Sequence, residues 1–244
     1  ALGGSFFLKT YWEKMNVSWT KYYYFFWIKM KNNSVEIIKY IQIARENHKK
    51  GNIYQANEIY RKLINQKIYT YELLISYGLF CKEFNNYKIA KNLFILSIKE
   101  YPLKINSYIL LAEILRKENK FNDAIRILYT AKKIEKFNSE IDYNLSIIFK
   151  TIKSFSEAII SIDSAIEQKP DNKIYQILKA DILVETFKNE EAKKLLLNLK
   201  LPKDSILFFQ REILLSKIFI NENQYRLAED CLLYTSPSPR DDEL

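Results

Sequence analysis

The chain has 244 residues and a formal net charge of +9, enough for one domain or one modest array of repeats. Four glycines and five prolines are too few breakers for a turn-rich all-β chain and point to long helical runs. Cys81 and Cys231 supply neither a disulfide framework nor a metal-ligand spacing. No apolar run reaches the length of a membrane span. The lysines are scattered without a basic block, which argues for solvated helix faces rather than a nucleic-acid footprint.

Residues 1–29 follow no helical period. Their YYYFFWI stretch at 22–28 is too short to cross a bilayer. Lys21 abuts it and no small-residue cleavage site follows, so it is a poor signal peptide. Met30 stands just before the first amphipathic pattern. Residues 1–29 are therefore read as translated upstream DNA, with a native aromatic segment packed on the first helix as the alternative. Ser34 is placed to cap that helix, whose buried side is expected from Ile37, Ile38, Ile41 and Ile43. The polar turn at 49–52 separates it from a second helix. Equivalent turns fall at 84–86, 118–120, 153–154 and 188–189. Pro102 and Pro170 close second helices, because the residue before a proline is steered away from helical dihedrals. Asp171 stands where an N-cap is useful. Residues 206–220 form a strongly apolar helix after a slightly longer connection at 201–203.

The spacing of small residues organises these elements. Ala56, Ala90, Ala124, Ala158 and Ala192 recur every 34 residues. Twelve residues before each stands another small or slim side chain: Ala44, Gly78, Ala112, Ser146 and Ala180. Four residues after each stands a large one: Tyr60, Phe94, Leu128, Ile162 and Leu196. Two helices joined by a tight turn can cross closely where each carries a small residue, and the bulky neighbours then fill the space beside the crossing. The units run 37–70, 71–104, 105–138, 139–172 and 173–206. A partial sixth at 209–230 carries Leu215, Ser216, Phe219, Tyr225 and Ala228 after a connection two residues longer.

This unit resembles the tetratricopeptide repeat, a helix–turn–helix of the same period. Residues 71–104 carry the resemblance most fully, with Leu74, Tyr77, Gly78, Cys81, Ala90, Phe94, Ser97 and Pro102. The resemblance implies an all-α fold: an α-solenoid of tetratricopeptide units over residues 30–230, wound as a right-handed superhelix. It further implies a scaffold that binds a peptide or partner protein in a concave groove lined by the first helix of each unit. Residues 231–241, CLLYTSPSPRD, read as a translated sequencing-library adaptor, so 231–244 are taken as an artefact and the natural sequence is expected to stop near Asp230. On that reading the chain is a piece of a longer protein. The alternative function is the N-terminal targeting arm of a larger bacterial enzyme, such as a transferase.

No catalytic constellation accompanies these repeats. His48 is a lone histidine, Cys81 falls at a position the family buries, and Glu190 with Glu191 opens a helix where carboxylates favour the dipole. No glycine-rich phosphate loop occurs. The expectation is a non-enzyme without cofactor or metal, working in the cytoplasm. The groove positions implied by the resemblance give an apolar floor of Ile75, Ile109, Tyr143 and Ile177, a basic rail of Lys82, Arg116 and Lys150, and Glu113 between them. Such a groove suits a peptide bearing acidic residues. The alternative for the floor is packing between neighbouring helices, and for the rail a solvated face. The lysine and asparagine with which some relatives clamp chaperone carboxylates are missing from these positions.

Overall fold

A computed structural model describes residues 35–233. Segment 1–29, the cap expected at Ser34 and residues 234–244 lie outside the described residues. Within them every regular element is helical: α1 (residues 35–49), α2 (Ile53–Asn65), α3 (Tyr71–Glu83), α4 (Tyr87–Glu100), α5 (Asn106–Lys117), α6 (Phe121–Ile134), α7 (Ser139–Thr151), α8 (Phe155–Gln168), α9 (Lys173–Glu185), α10 (Asn189–Leu197), α11 (Ile206–Asn221) and α12 (Tyr225–Leu233). The chain divides into two compact units, residues 1–93 and 94–244.

In the first unit, Ile41 and Ala44 of α1 are buried, as are Ala56, Tyr60 and Leu63 of α2. Ile38 is 59% exposed, contrary to the stripe expected for it. Ile37, Ile41 and Ala44 follow the i, i+4, i+7 face, and Ile38 is turned about 100° away from it. Tyr60 stacks on Tyr77 of α3 with ring centroids 5.1 Å apart, and Phe80 packs at 5.6 Å from Tyr60. Gly78 of α3 and Ala90 of α4 are buried as well.

In the second unit the helices pair as α5 with α6, α7 with α8, α9 with α10 and α11 with α12. First helices pack on first helices, α5 on α7, α7 on α9 and α9 on α11, so the hairpins stack in chain order. Ala112, Ala124, Ala158, Ala180, Ala192 and Ser146 are all fully or almost fully buried. The Ser146 hydroxyl donates to the Ala158 carbonyl oxygen at 2.9 Å, which places the two small positions against each other at the crossing. Ser216 and Ala228 are likewise buried, and α12 lies along the apolar α11.

The turn inside each hairpin is built one way throughout. Gly51, Asn85, Asn119, Lys153, Phe187 and Asn223 adopt positive φ between 57° and 78°. Each donates its amide to the carbonyl three residues back, and the next amide reaches five back: Asn86 to Cys81 at 2.7 Å, Lys120 to Leu115 at 2.8 Å, Ser154 to Phe149 at 2.8 Å and Lys188 to Leu183 at 2.9 Å. This is the paired bonding of a left-handed helix C-terminus, which satisfies otherwise orphaned carbonyls. The turn residues are therefore 152–154 and 186–188, and Asn189 already belongs to α10. At the opposite ends, Thr70, Asn138, Asn172 and Ser205 accept amide hydrogens as N-caps. Asn172, rather than Asp171, caps α9, its Oδ1 accepting from Ile174 at 3.0 Å. The cap must be the residue directly preceding the helix, and Asp171 lies one position too early.

Asp142 of α7 is buried at the position where the two preceding units carry Leu74 and Tyr108. It pairs with Lys132 of α6 and accepts from Ser164 at 2.8 Å and Gln168 at 2.9 Å, both on α8. A fully bonded buried carboxylate of this kind ties three helices together, since removing any partner leaves a desolvated charge.

Replacing Ala158 by Leu is expected to overpack the α7–α8 crossing and lower stability by about 1–3 kcal/mol. The same substitution at the exposed Ile160 is expected to be nearly neutral. Chemical denaturation of the two variants checks this.

Candidate functional site

The face shared by α5, α7 and α9 collects most of the sequence-predicted residues of the second unit. Stacking of first helices places Glu113 and Arg116 of α5, Tyr143 and Lys150 of α7, and Ile177 and Asp181 of α9 on neighbouring rods. Ile109 and Ile177 are buried. Tyr143 is only partly buried, as are Glu113, Arg116 and Lys150. Tyr143 stacks on Tyr175 with centroids 4.9 Å apart and planes inclined by 30°. The Tyr175 hydroxyl donates to Ser139 Oγ at 3.3 Å, which fixes the ring on which Tyr143 rests. Burial raises the Tyr143 hydroxyl pKa above its ordinary value, the neighbouring Tyr175 adds to the rise, and Arg116 opposes it.

Two features set the electrostatics of this face. Lys150 is ion-paired with Asp181 across α7 and α9, so its charge is largely matched within the protein. Arg116 Nε is shut off from solvent and has no hydrogen-bond partner. A buried unmatched donor on a guanidinium is unfavourable and is the kind of group an incoming acceptor would satisfy. Tyr175 was not among the residues expected from the sequence. The signal was present as an aromatic in the first turn of α9, the first helix of the unit after the one that carries Tyr143.

In the first unit, Ile75 is buried and Lys82 partly buried, both on α3. His48 lies 3.1 Å from Glu83 and meets the Phe80 ring edge-on at 5.0 Å. Arg45 donates to Ser76 Oγ at 2.6 Å and 3.0 Å through Nη2 and Nε. These contacts tie α1 to α3. A cavity of about 700 Å³ between α2, α3 and the start of α4 is lined by Tyr54, Asn57, Tyr77, Phe80 and Phe84 among others.

Cys81 is buried. Burial pushes its thiol from 9.0 up to about 11, against a smaller opposing effect of the hydrogen bond with Tyr77. Burial also pushes the Tyr77 hydroxyl to about 12, with Cys81 adding to the rise. A thiol held protonated in this way is a packing group rather than a nucleophile. Among the described residues no group of three or more His, Cys, Asp or Glu side chains could hold a metal ion, and no helix is long and apolar enough to cross a membrane.

Comparison with known proteins adds the fold. No protein-family model matches the sequence, and no curated protein matches it. Solved structures do. A tetratricopeptide repeat protein from Parabacteroides merdae ATCC 43184 is 13% identical with a TM-score of 0.67, over 88% of this chain and 85% of that one. PilF of Pseudomonas aeruginosa is 13% identical with a TM-score of 0.66, over 83% and 91%. MamA of Desulfovibrio magneticus RS-1 is 15% identical with a TM-score of 0.57, over 65% and 90%. The chain has the tetratricopeptide-repeat fold.

The raised pKa values fix a sign for stability. In the unfolded chain the Cys81 thiol ionises near 9.0, and in the folded protein near 11. The stability that this difference contributes is complete below about pH 9 and is lost as pH rises through about 11. The melting temperature is expected to fall over that interval, and to fall less steeply in Cys81→Ala, as measured by thermal melts across the alkaline range.

Proposed function

We propose that the chain is a protein-interaction scaffold that holds an acidic peptide of a partner protein along the first-helix face of α5, α7 and α9. The observation that carries this reading is Arg116 beside Tyr143: a guanidinium with a buried, unpartnered Nε next to a partly buried aromatic ring resting on Tyr175. A peptide carboxylate can accept from Arg116, while an adjacent apolar side chain lies on the tyrosine pair. Ile109 and Ile177 support the face from beneath, and Glu113 rejects a second acidic residue beside Arg116, giving the ligand a direction. Lys150 contributes by exchanging Asp181 for a ligand carboxylate. The first unit, taken by itself, carries Ile75 and Lys82 on α3 at the like repeat positions. The protein works as a binding module in the cytoplasm, without catalysis of its own. The tetratricopeptide fold supports this reading, because stacked helix pairs create extended binding surfaces.

Fluorescence anisotropy with the full chain and a labelled peptide of alternating glutamate and leucine tests the proposal. Binding is expected to weaken with added salt. Arg116→Ala and Tyr143→Ala are each expected to lower affinity by about tenfold or more. Unchanged affinity in both variants contradicts the assignment.

A further inference from the structure

Each hairpin turn holds one residue in the left-handed region, and four of the six described above use Gly51, Asn85, Asn119 or Asn223 there. Glycine and asparagine adopt this conformation at little penalty. The two exceptions are neighbours: Lys153, between α7 and α8, and Phe187, between α9 and α10. Phe187 has φ of 58° and is 80% exposed. A bulky side chain in this region is strained, and Phe187 recovers almost nothing by packing. Such an outlier points to a use outside the fold.

The surroundings indicate which use. Both tips pair an apolar side chain with a lysine: Ile152 with Lys153, and Phe187 with Lys188. Ile152 is 40% exposed. Neither lysine forms a salt bridge among the described residues. α8 packs against α9, so the two tips stand side by side on the edge of the stack formed by the hairpin turns. The acidic residues nearest in sequence are Glu157, Glu185 and Glu190, all within the helices, and Glu157 is engaged by Ser154 at 3.0 Å.

We propose that this edge of the second unit docks on an anionic lipid surface. Phe187 and Ile152 enter the boundary between headgroups and acyl chains, and Lys153 and Lys188 pair with lipid phosphates. Protruding tips suit a flat, deformable surface, whereas a peptide ligand is better held by a concave one. The net charge of +9 draws the chain toward negative surfaces from a distance.

Sedimentation of the full chain with vesicles of phosphatidylcholine and phosphatidylserine in equal parts provides the test. The protein is expected to sediment with these vesicles at low ionic strength, to be released by salt, and to remain in solution with phosphatidylcholine alone. Phe187→Asn is expected to lower partitioning by about tenfold. It should also raise the melting temperature, because asparagine suits the left-handed turn, so the loss cannot come from unfolding. Phe137→Asn serves as the control. Phe137 is 74% exposed on the opposite edge, with its own Lys136 5.4 Å from the ring centroid, and its loss is expected to leave partitioning unchanged. The proposal is overturned if the protein ignores phosphatidylserine vesicles, if Phe187→Asn binds like the parent, or if Phe137→Asn loses binding equally. It is also overturned if Phe187→Asn weakens binding of the acidic peptide alone, which would make the edge a protein contact.

Discussion

Close approach of two helix backbones is the constraint on which the rest of this structure depends. A hairpin with a three-residue turn forces its helices together near the turn, and only small side chains leave room there. Ser146 and Ala158 show the contact directly, because the serine hydroxyl reaches the backbone carbonyl of the partner helix at 2.9 Å. Once the backbones meet, the large residues one turn further on have a fixed place to go, and Tyr60, Phe94, Leu128, Ile162 and Leu196 are all essentially inaccessible. The left-handed turn residue follows from the same geometry. So short a reversal leaves helix carbonyls without intrahelical partners, and the positive-φ residue turns its own amide and the next one back to satisfy them.

This constraint explains why the fold was legible in the sequence. Size at fixed spacing is a coarse property, and many substitutions preserve it, since cores tolerate change when volume and pattern are kept. The period of small residues therefore survives in a chain that matches no family model. Details that depend on neighbours were not legible in this way. Burial of Asp142 becomes intelligible only with Lys132, Ser164 and Gln168 around it, brought from two other helices. Ile38 counted as apolar in the sequence, yet its position around the helix leaves it in solvent. Gly51, Asn85 and Asn119 hinted at the left-handed turn, whereas Lys153 and Phe187 gave no such hint, because neither residue type favours positive φ.

The candidate site divides along the same line. Which positions face neighbouring first helices followed from the repeat, and Arg116, Tyr143 and Lys150 do occupy adjacent helices. Their accessibility and partners did not follow. Ile75, Ile109 and Ile177 are buried, and Lys150 meets Asp181, a residue 31 positions away whose approach depends on how one hairpin stacks on the next. A repeat protein keeps its packing on one set of positions and is free to vary the others. Arg116 with Tyr143 on a helix face, and Phe187 with Lys188 at a turn, are two places outside that packing set, and the two proposals rest on them.

Coupling between the two small positions of one hairpin tests the account most directly. Ala112→Val and Ala124→Val, made singly and together, are to be compared by chemical denaturation. If the two residues share one crossing, the first valine already separates the backbones and the second adds less. The double variant is then expected to be less destabilised than the sum of the singles by about 0.5–3 kcal/mol. Strict additivity would place the two residues in independent environments and contradict the crossing on which the fold is built.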